Sequence, residues 1–246
     1  AFPLSYTLDS VGPMGRSVAE CAAMDAVMAG IEAAPLPPVP LRGLRVGIPR
    51  GWLFSDMEQQ VEYPVEQAIS ALSAAGAHIE DVDFDELFGA MRAANAIAAI
   101  GACEAAQIHA DALKSRRDAF DPRIRVRIEG GEGVRAADYI EVLRRREALK
   151  PLFDAKMADY DVLALPTCVI RAPLIAPLEA DDGLYASTNL KVLRNTNPFN
   201  FFDVPALTLP LRVNDGLPVG LMLTGHRFGD RRLMAIGAAV EARLAG

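Results

Sequence analysis

The chain has 246 residues, 51% of them hydrophobic and 23% charged, enough for one large domain or two small ones around a sizeable core. A formal charge of −7 argues against a nucleic-acid partner. No apolar run approaches the ~18 residues of a membrane span, so no membrane partner is expected.

Residues 1–13 read as extended, because Pro3, Gly12 and Pro13 block a helix. Ser17-Val18-Ala19-Glu20 then forms a capping box, which predicts a helix over Val18–Ala29 with Gly30 as its stop. Residues 33–40 hold four prolines and read as an extended connector within a single domain. A short strand at 44–49, a helix at 58–75 ending at Gly76, and an alternating strand at 77–84 make a βαβ unit with parallel strands. Residues 85–114 read as helical throughout. Within them, Ala93–Ala106 is Ala-rich and interrupted by Asn95 and Glu104, as in a buried helix.

A charged break at 115–121 and a short helix at 122–128 lead to a long amphipathic helix at 136–158. Its apolar side is expected to carry Tyr139, Val142, Leu143, Leu149, Leu152, Phe153 and Met157. Residues 161–165 form a buried strand closed by Pro166-Thr167, and the Pro- and Asp-rich stretch 173–183 reads as loop. A polar, amide-rich loop, Arg194–Asn200, enters a hairpin whose apolar runs 206–211 and 217–223 flank the turn signal Asn214-Asp215-Gly216. A closing helix over 230–244 turns Leu233, Ile236, Ala239 and Val240 inward. Strands alternating with helices predict an α/β fold: a mixed, largely parallel sheet flanked by helices on both faces.

The chemistry-bearing residues are sparse. Cys21, Cys103 and Cys168 are scattered with no CxxC, which fits a reducing, cytoplasmic setting, and His78, His109 and His226 give no metal-ligand spacing. No metal or other cofactor is expected. There is no phosphate-binding glycine loop and no GxSxG elbow. None of the lysines 114, 150, 156 and 191 stands in an apolar setting that would turn it into a base. Arg146 falls near the boundary of the apolar side of the long helix. There it suits either a clamp for a carboxylate or an internal salt bridge.

Five ordered segments resemble the C-terminal half of the amidase signature family. They are Pro3–Met14 (PLSYTLDSVGPM), Asp138-Tyr139 with Arg146, Asp161–Thr167 (DVLALPT), Asn200–Pro210 (NFFDVPALTLP) and Asp215–Gly225 (DGLPVGLMLTG). The resemblance implies hydrolysis of carbon–nitrogen bonds in linear amides by a serine nucleophile, a second serine on a cis peptide bond, and a lysine. The partner it implies is a small-molecule amide, with homodimerisation open. Nothing in this sequence resembles the family's glycine- and serine-rich catalytic segment, so no catalytic residue is assigned.

The start Ala1-Phe2-Pro3-Leu4 lacks Met and any leader pattern. The chain is therefore expected to be cut from something longer and to be inactive alone. The resemblance implies substrate contact for Arg146 and Asn200 and a supporting role for Asp9. The position that carries an aspartate in the glutamine-dependent amidotransferase branch is Leu193 here, which argues against free glutamine as substrate. Asp203 and Met222 replace a common glycine and a common glutamine and leave the substrate open. The alternatives are a glutamine-dependent amidotransferase component of the A type, or a non-catalytic binding or scaffold protein.

Overall fold

A computed structural model describes residues 2–213 and 216–245. In chain order the elements are α1 (Val18–Met28), β1 (Arg45–Ile48), a 3-10 turn (Trp52–Phe54), α2 (Gln59–Ala74), β2 (His78–Asp81), α3 (Asp85–Asn95), α4 (Ile100–Ile108), α5 (Ala110–Arg116), a second 3-10 turn (Arg117–Ala119), α6 (Pro122–Glu129), α7 (Ala136–Met157), β3 (Val162–Pro166), α8 (Ile175–Ala180), α9 (Asp182–Leu193), α10 (Asn197–Phe202), β4 (Ala206–Leu211), β5 (Val219–Thr224) and α11 (Asp230–Ala245). They group into two compact units, residues 2–11 with 86–153 and residues 12–85 with 154–245.

The second unit is built on a five-stranded sheet in the order β2-β1-β3-β5-β4. β1 is parallel to β2 and β3, and β5 is antiparallel to β3 and β4. Four strands therefore run one way and β5 the other, the mixed, largely parallel α/β arrangement expected. The βαβ unit forms as read, with Arg45 opposite His78 and Ile48 opposite Asp81. So does the hairpin, from Ala206 opposite Thr224 to Leu211 opposite Val219. Its predicted turn falls on Asn214 and Asp215, which lie outside the described residues.

Periodicity decides what is buried. Val61, Val65, Ile69 and Leu72 of α2 and Leu233, Ile236 and Val240 of α11 pack against Val46, Ile48, Val162, Ala164, Leu221 and Leu223 in one apolar core. Each such side chain contributes about 1.5–3 kcal/mol on leaving water. The alternate residues Leu163, Leu165 and Met222 are at most 2% exposed, so the opposite face of the sheet is covered as well.

Helix α1 begins on half of the expected capping box. Ser17 accepts the Glu20 N–H, but the Glu20 carboxylate turns to the Arg16 N–H at 2.8 Å. It ends where Gly30, at φ +70°, lets Ile31 N–H reach Ala26 O and Gly30 N–H reach Val27 O, a Schellman closure.

Three readings are corrected. Residues 85–114 are three helices, broken by an extended Ala99 and by His109. A continuous run of Ala and Ile carries no punctuation to show such a break. Residues 173–183 are largely helical, because Asp181 accepts the N–H groups of Gly183 and Leu184 and starts α9. Part of the amide-rich loop is α10, with Pro198 in its first turn.

The first unit is helical. α4 and α6 meet so closely that a Cβ on Gly131 would lie 2.1 Å from Ala102 O. Along α7 the buried positions in this unit are Val142, Arg146, Lys150 and Phe153, while Leu152, expected inside, is 55% exposed. The spacing of 4, 4 and 3 is one helical stripe. The stripe holds two cations because their long hydrocarbon stems occupy apolar positions.

Candidate functional site

Three of the motif segments converge on one cavity of about 500 Å3 in the sheet-bearing unit. Its floor is the end of the sheet. Thr167 follows β3 and donates its N–H to Gly220 O at 2.9 Å, and Gly220 lies opposite Pro210 of β4. Over the glycine, the Thr167 and Thr208 hydroxyls hydrogen-bond to each other at 3.2 Å. A Cβ on Gly220 would sit 2.6 Å from Thr167 Oγ1 and 2.8 Å from Thr208 Cγ2, so only glycine lets the two threonines meet. The cavity thus opens at the carboxyl end of β3.

The walls are mostly apolar, with Val61, Ile170, Val192 and Val219 among them. Cys168 lines the cavity too. Its thiol donates to Val192 O at 3.5 Å, and burial pushes its pKa up. Arg171 brings a charge to the rim, but Glu58 answers it. The carboxylate accepts the Arg171 N–H at 3.1 Å and lies 3.5 Å from the guanidinium Nε.

The amide-rich stretch beside the cavity is spent on the fold. Asn195 is wholly buried and donates to Leu53 O at 2.9 Å and Pro166 O at 2.7 Å. Arg194 donates to Ser55 O at 2.6 Å, and burial pulls its pKa down. These donors tie the first 3-10 turn to the end of β3.

The helical unit contains a carboxylate that sequence reasoning passed over. Glu104, 7% exposed, accepts from Ser5 Oγ, Thr7 N–H at 3.0 Å, Thr7 Oγ1 and Tyr139 Oη at 2.5 Å. Burial pushes its pKa up, yet these donors outweigh burial and hold it below the ordinary glutamate value. Ser5 and Thr7 belong to the first motif segment and Tyr139 to the second, so the two segments are stitched through one anion. The available signal was an acid inside an Ala-rich run.

Asp9 is exposed and accepts the Leu4 N–H at 2.8 Å, closing a turn. Arg146 is buried, 4% exposed, with Glu147 Oε1 at 3.6 Å. Asn200 is exposed on α10, and its backbone takes part in the helix and in the Asp203 turn. Asp9 and Arg146 belong to the helical unit and Asn200 to the sheet-bearing one. Lys150 lies on the same α7 stripe as Arg146, and its charge is paired. It is 7% exposed on the α7 stripe and donates to Glu147 Oε1 at 2.7 Å. Among the described residues no group of three or more His, Cys, Asp or Glu could hold a metal ion, and no helix is long and apolar enough to cross a membrane.

A family model described as Amidase matches residues 1–234. The chain is 32% identical over 255 residues to 2-amino-5-chloromuconic acid deaminase of Comamonas testosteroni, covering 98% of this chain and 52% of that protein. It is 30% identical over 269 residues to the A subunit of the glutamyl-tRNA(Gln) amidotransferase of Chloroflexus aggregans, covering 96% and 54%. A solved amidase structure superposes with a TM-score of 0.83 at 29% identity, covering 98% of this chain and 54% of that one. The chain spans about half the length of the curated relatives it matches.

Proposed function

The chain belongs to the amidase family, and from that premise we propose that the whole protein hydrolyses the carbon–nitrogen bond of small linear amides. The observation that carries this reading is the match over residues 1–234, in which three motif segments meet at one cavity. In the proposed mechanism a lysine, with its charged form disfavoured, takes a proton through a bridging serine held on a cis peptide bond. A second serine attacks the amide carbonyl, and backbone N–H groups hold the oxyanion. These groups are assigned to the part of the family's length that this chain does not span. The 246 residues then supply sheet, cavity wall and substrate contacts, and have no turnover alone.

Within that assignment Arg146 and Asn200 contact substrate and Asp9 supports the segment beside the nucleophile. The buried Arg146 guanidinium suits a planar carboxylate or amide group. The rival reading, a component of a glutamine-dependent amidotransferase, draws on the resemblance to the Chloroflexus aggregans protein. Leu193 weighs against it, since a half-exposed leucine offers nothing to the ammonium group of free glutamine. The test is release of ammonia or amine from small amides by the full-length protein. Alanine at the signature serine should abolish it, and undiminished release would overturn the mechanism. Glutaminase activity in the same assay would favour the rival.

A further inference from the structure

We propose that the cavity over the Thr167–Gly220–Thr208 floor is the subsite for the uncharged, apolar portion of the substrate, with the threonine pair donating one hydroxyl hydrogen to an acceptor on it. The identity of that substrate as an amide rests on the function proposed above. The binding itself does not.

Three observations carry the inference. The volume, about 500 Å3, falls in the range of small-molecule pockets. The formal charge at the rim is cancelled, because the Glu58 carboxylate lies 3.5 Å from Arg171 Nε, so neither a carboxylate nor an ammonium group gains a counter-charge there. The polar feature of the floor is the threonine pair. One hydroxyl of the pair donates to the other at 3.2 Å, so the pair holds one further hydrogen. Among the described residues no acceptor takes it. A hydroxyl fixed by one bond and open for another, facing apolar walls at Val192 and Ile170, matches a carbonyl oxygen joined to a compact hydrocarbon. An aryl or branched-alkyl amide fits this description. Glutamine, which carries an ammonium and a carboxylate, does not.

Cys168 provides a reporter inside the cavity, and Cys21 and Cys103 provide controls outside it. The experiment measures alkylation of Cys21, Cys103 and Cys168 in the full-length protein by N-ethylmaleimide, with benzamide, isobutyramide or glutamine added. Benzamide and isobutyramide should slow Cys168 and leave Cys21 and Cys103 unchanged, and glutamine should slow none. Thr167→Val combined with Thr208→Val keeps the shape of the floor and removes its donors. It should weaken protection by benzamide about fivefold, as loss of one neutral hydrogen bond does, while protection by toluene is retained. Val192→Trp fills the cavity and should remove all protection.

Equal protection by glutamine, protection shared by all three thiols, no protection by either amide, or a double-valine variant unchanged toward benzamide would each overturn the subsite. Should Val192→Trp misfold, the double-valine variant still decides. Protection without hydrolysis by the full-length protein would leave the subsite standing and sink the amidase reading. Hydrolysis without protection would do the reverse.

Discussion

In the sheet-bearing unit most of the fully buried side chains are hydrocarbon, with Asn195 and Thr224 as polar exceptions. Ile48, Leu163, Leu165, Leu221, Leu223 and Val240 all have no measurable exposure. In the helical unit the buried set includes Glu104, Arg146 and Lys150. The two units solve the same problem with different materials. Apolar burial is non-directional and tolerates small shifts. A buried carboxylate fed by hydroxyls and an amide N–H is directional, and it fixes where Ser5, Thr7 and Tyr139 must be. The first motif segment has few buried apolar residues of its own, with Leu4, Tyr6 and Val11 all exposed. A polar anchor is what positions it. Hydrocarbon therefore sets the stability of the sheet-bearing unit, and hydrogen-bond geometry sets the placement of the segment in the helical one.

The largest effect that tests this contrast is expected at Leu221, at the centre of β5 between β3 and β4. Leu221→Ala leaves a cavity in the apolar core and should cost about 2–5 kcal/mol, read as a lower denaturant midpoint with unchanged slope. A loss under 1 kcal/mol, on the order of a surface change, would show that the core does not carry the unit.

Next comes Glu104→Gln, which keeps the shape of the side chain but replaces one acceptor oxygen by a donor. The hydroxyls of Ser5, Thr7 and Tyr139 can turn to accommodate it, but the Thr7 N–H cannot. The expected loss is about 1–3 kcal/mol, with faster hydrogen exchange at Thr7 and Leu8. A pH signature separates the anion from mere packing. The folded-state pKa of Glu104 is lowered, so its contribution is complete above the unfolded glutamate value of about 4.3 and fades as pH falls through the lower folded value. Wild-type stability should drop in that acid window more steeply than that of the glutamine variant. Parallel curves would mean that the carboxylate is not held as an anion.

The same contrast explains what the sequence could and could not show. Strands and amphipathic helices of the sheet-bearing unit were legible because period 2 and period 3.6 mark hydrocarbon burial directly. The α2 stripe of Val61, Val65, Ile69 and Leu72 and the hairpin were read from that pattern. Glu104 was not legible, since its partners Ser5, Thr7 and Tyr139 stand 99, 97 and 35 positions away, and no local period links an acid to distant donors. The role of Asn195 was hidden for the same reason: the carbonyls of Leu53 and Pro166 that take its amide hydrogens lie 142 and 29 positions away. Thr167 and Thr208 gave no signal apart, because what joins them is the bare Gly220 between their strands. Asp181 was legible in principle, since an aspartate two residues before a glycine can cap a helix, but its Pro- and Asp-rich setting argued for loop.

The smallest effect is expected at the edge of the sheet. β4 has β5 on one side and, among the described residues, no strand on the other. Gly220 O accepts from Thr167 N–H, so the Gly220 backbone faces β3, and its partner Pro210 turns its own backbone away from β5 to the open edge. A proline there gives up no ladder bond, and it removes one donor from a row that would otherwise invite another strand. Pro210→Thr should therefore change stability by no more than about 0.5 kcal/mol. It should raise self-association, read as a concentration-dependent increase in sedimentation coefficient. A large stability loss with no change in association would place the Pro210 backbone inside the ladder. The edge would then belong with the apolar core, where packing decides, and not with the few positions of this unit at which hydrogen-bond geometry does.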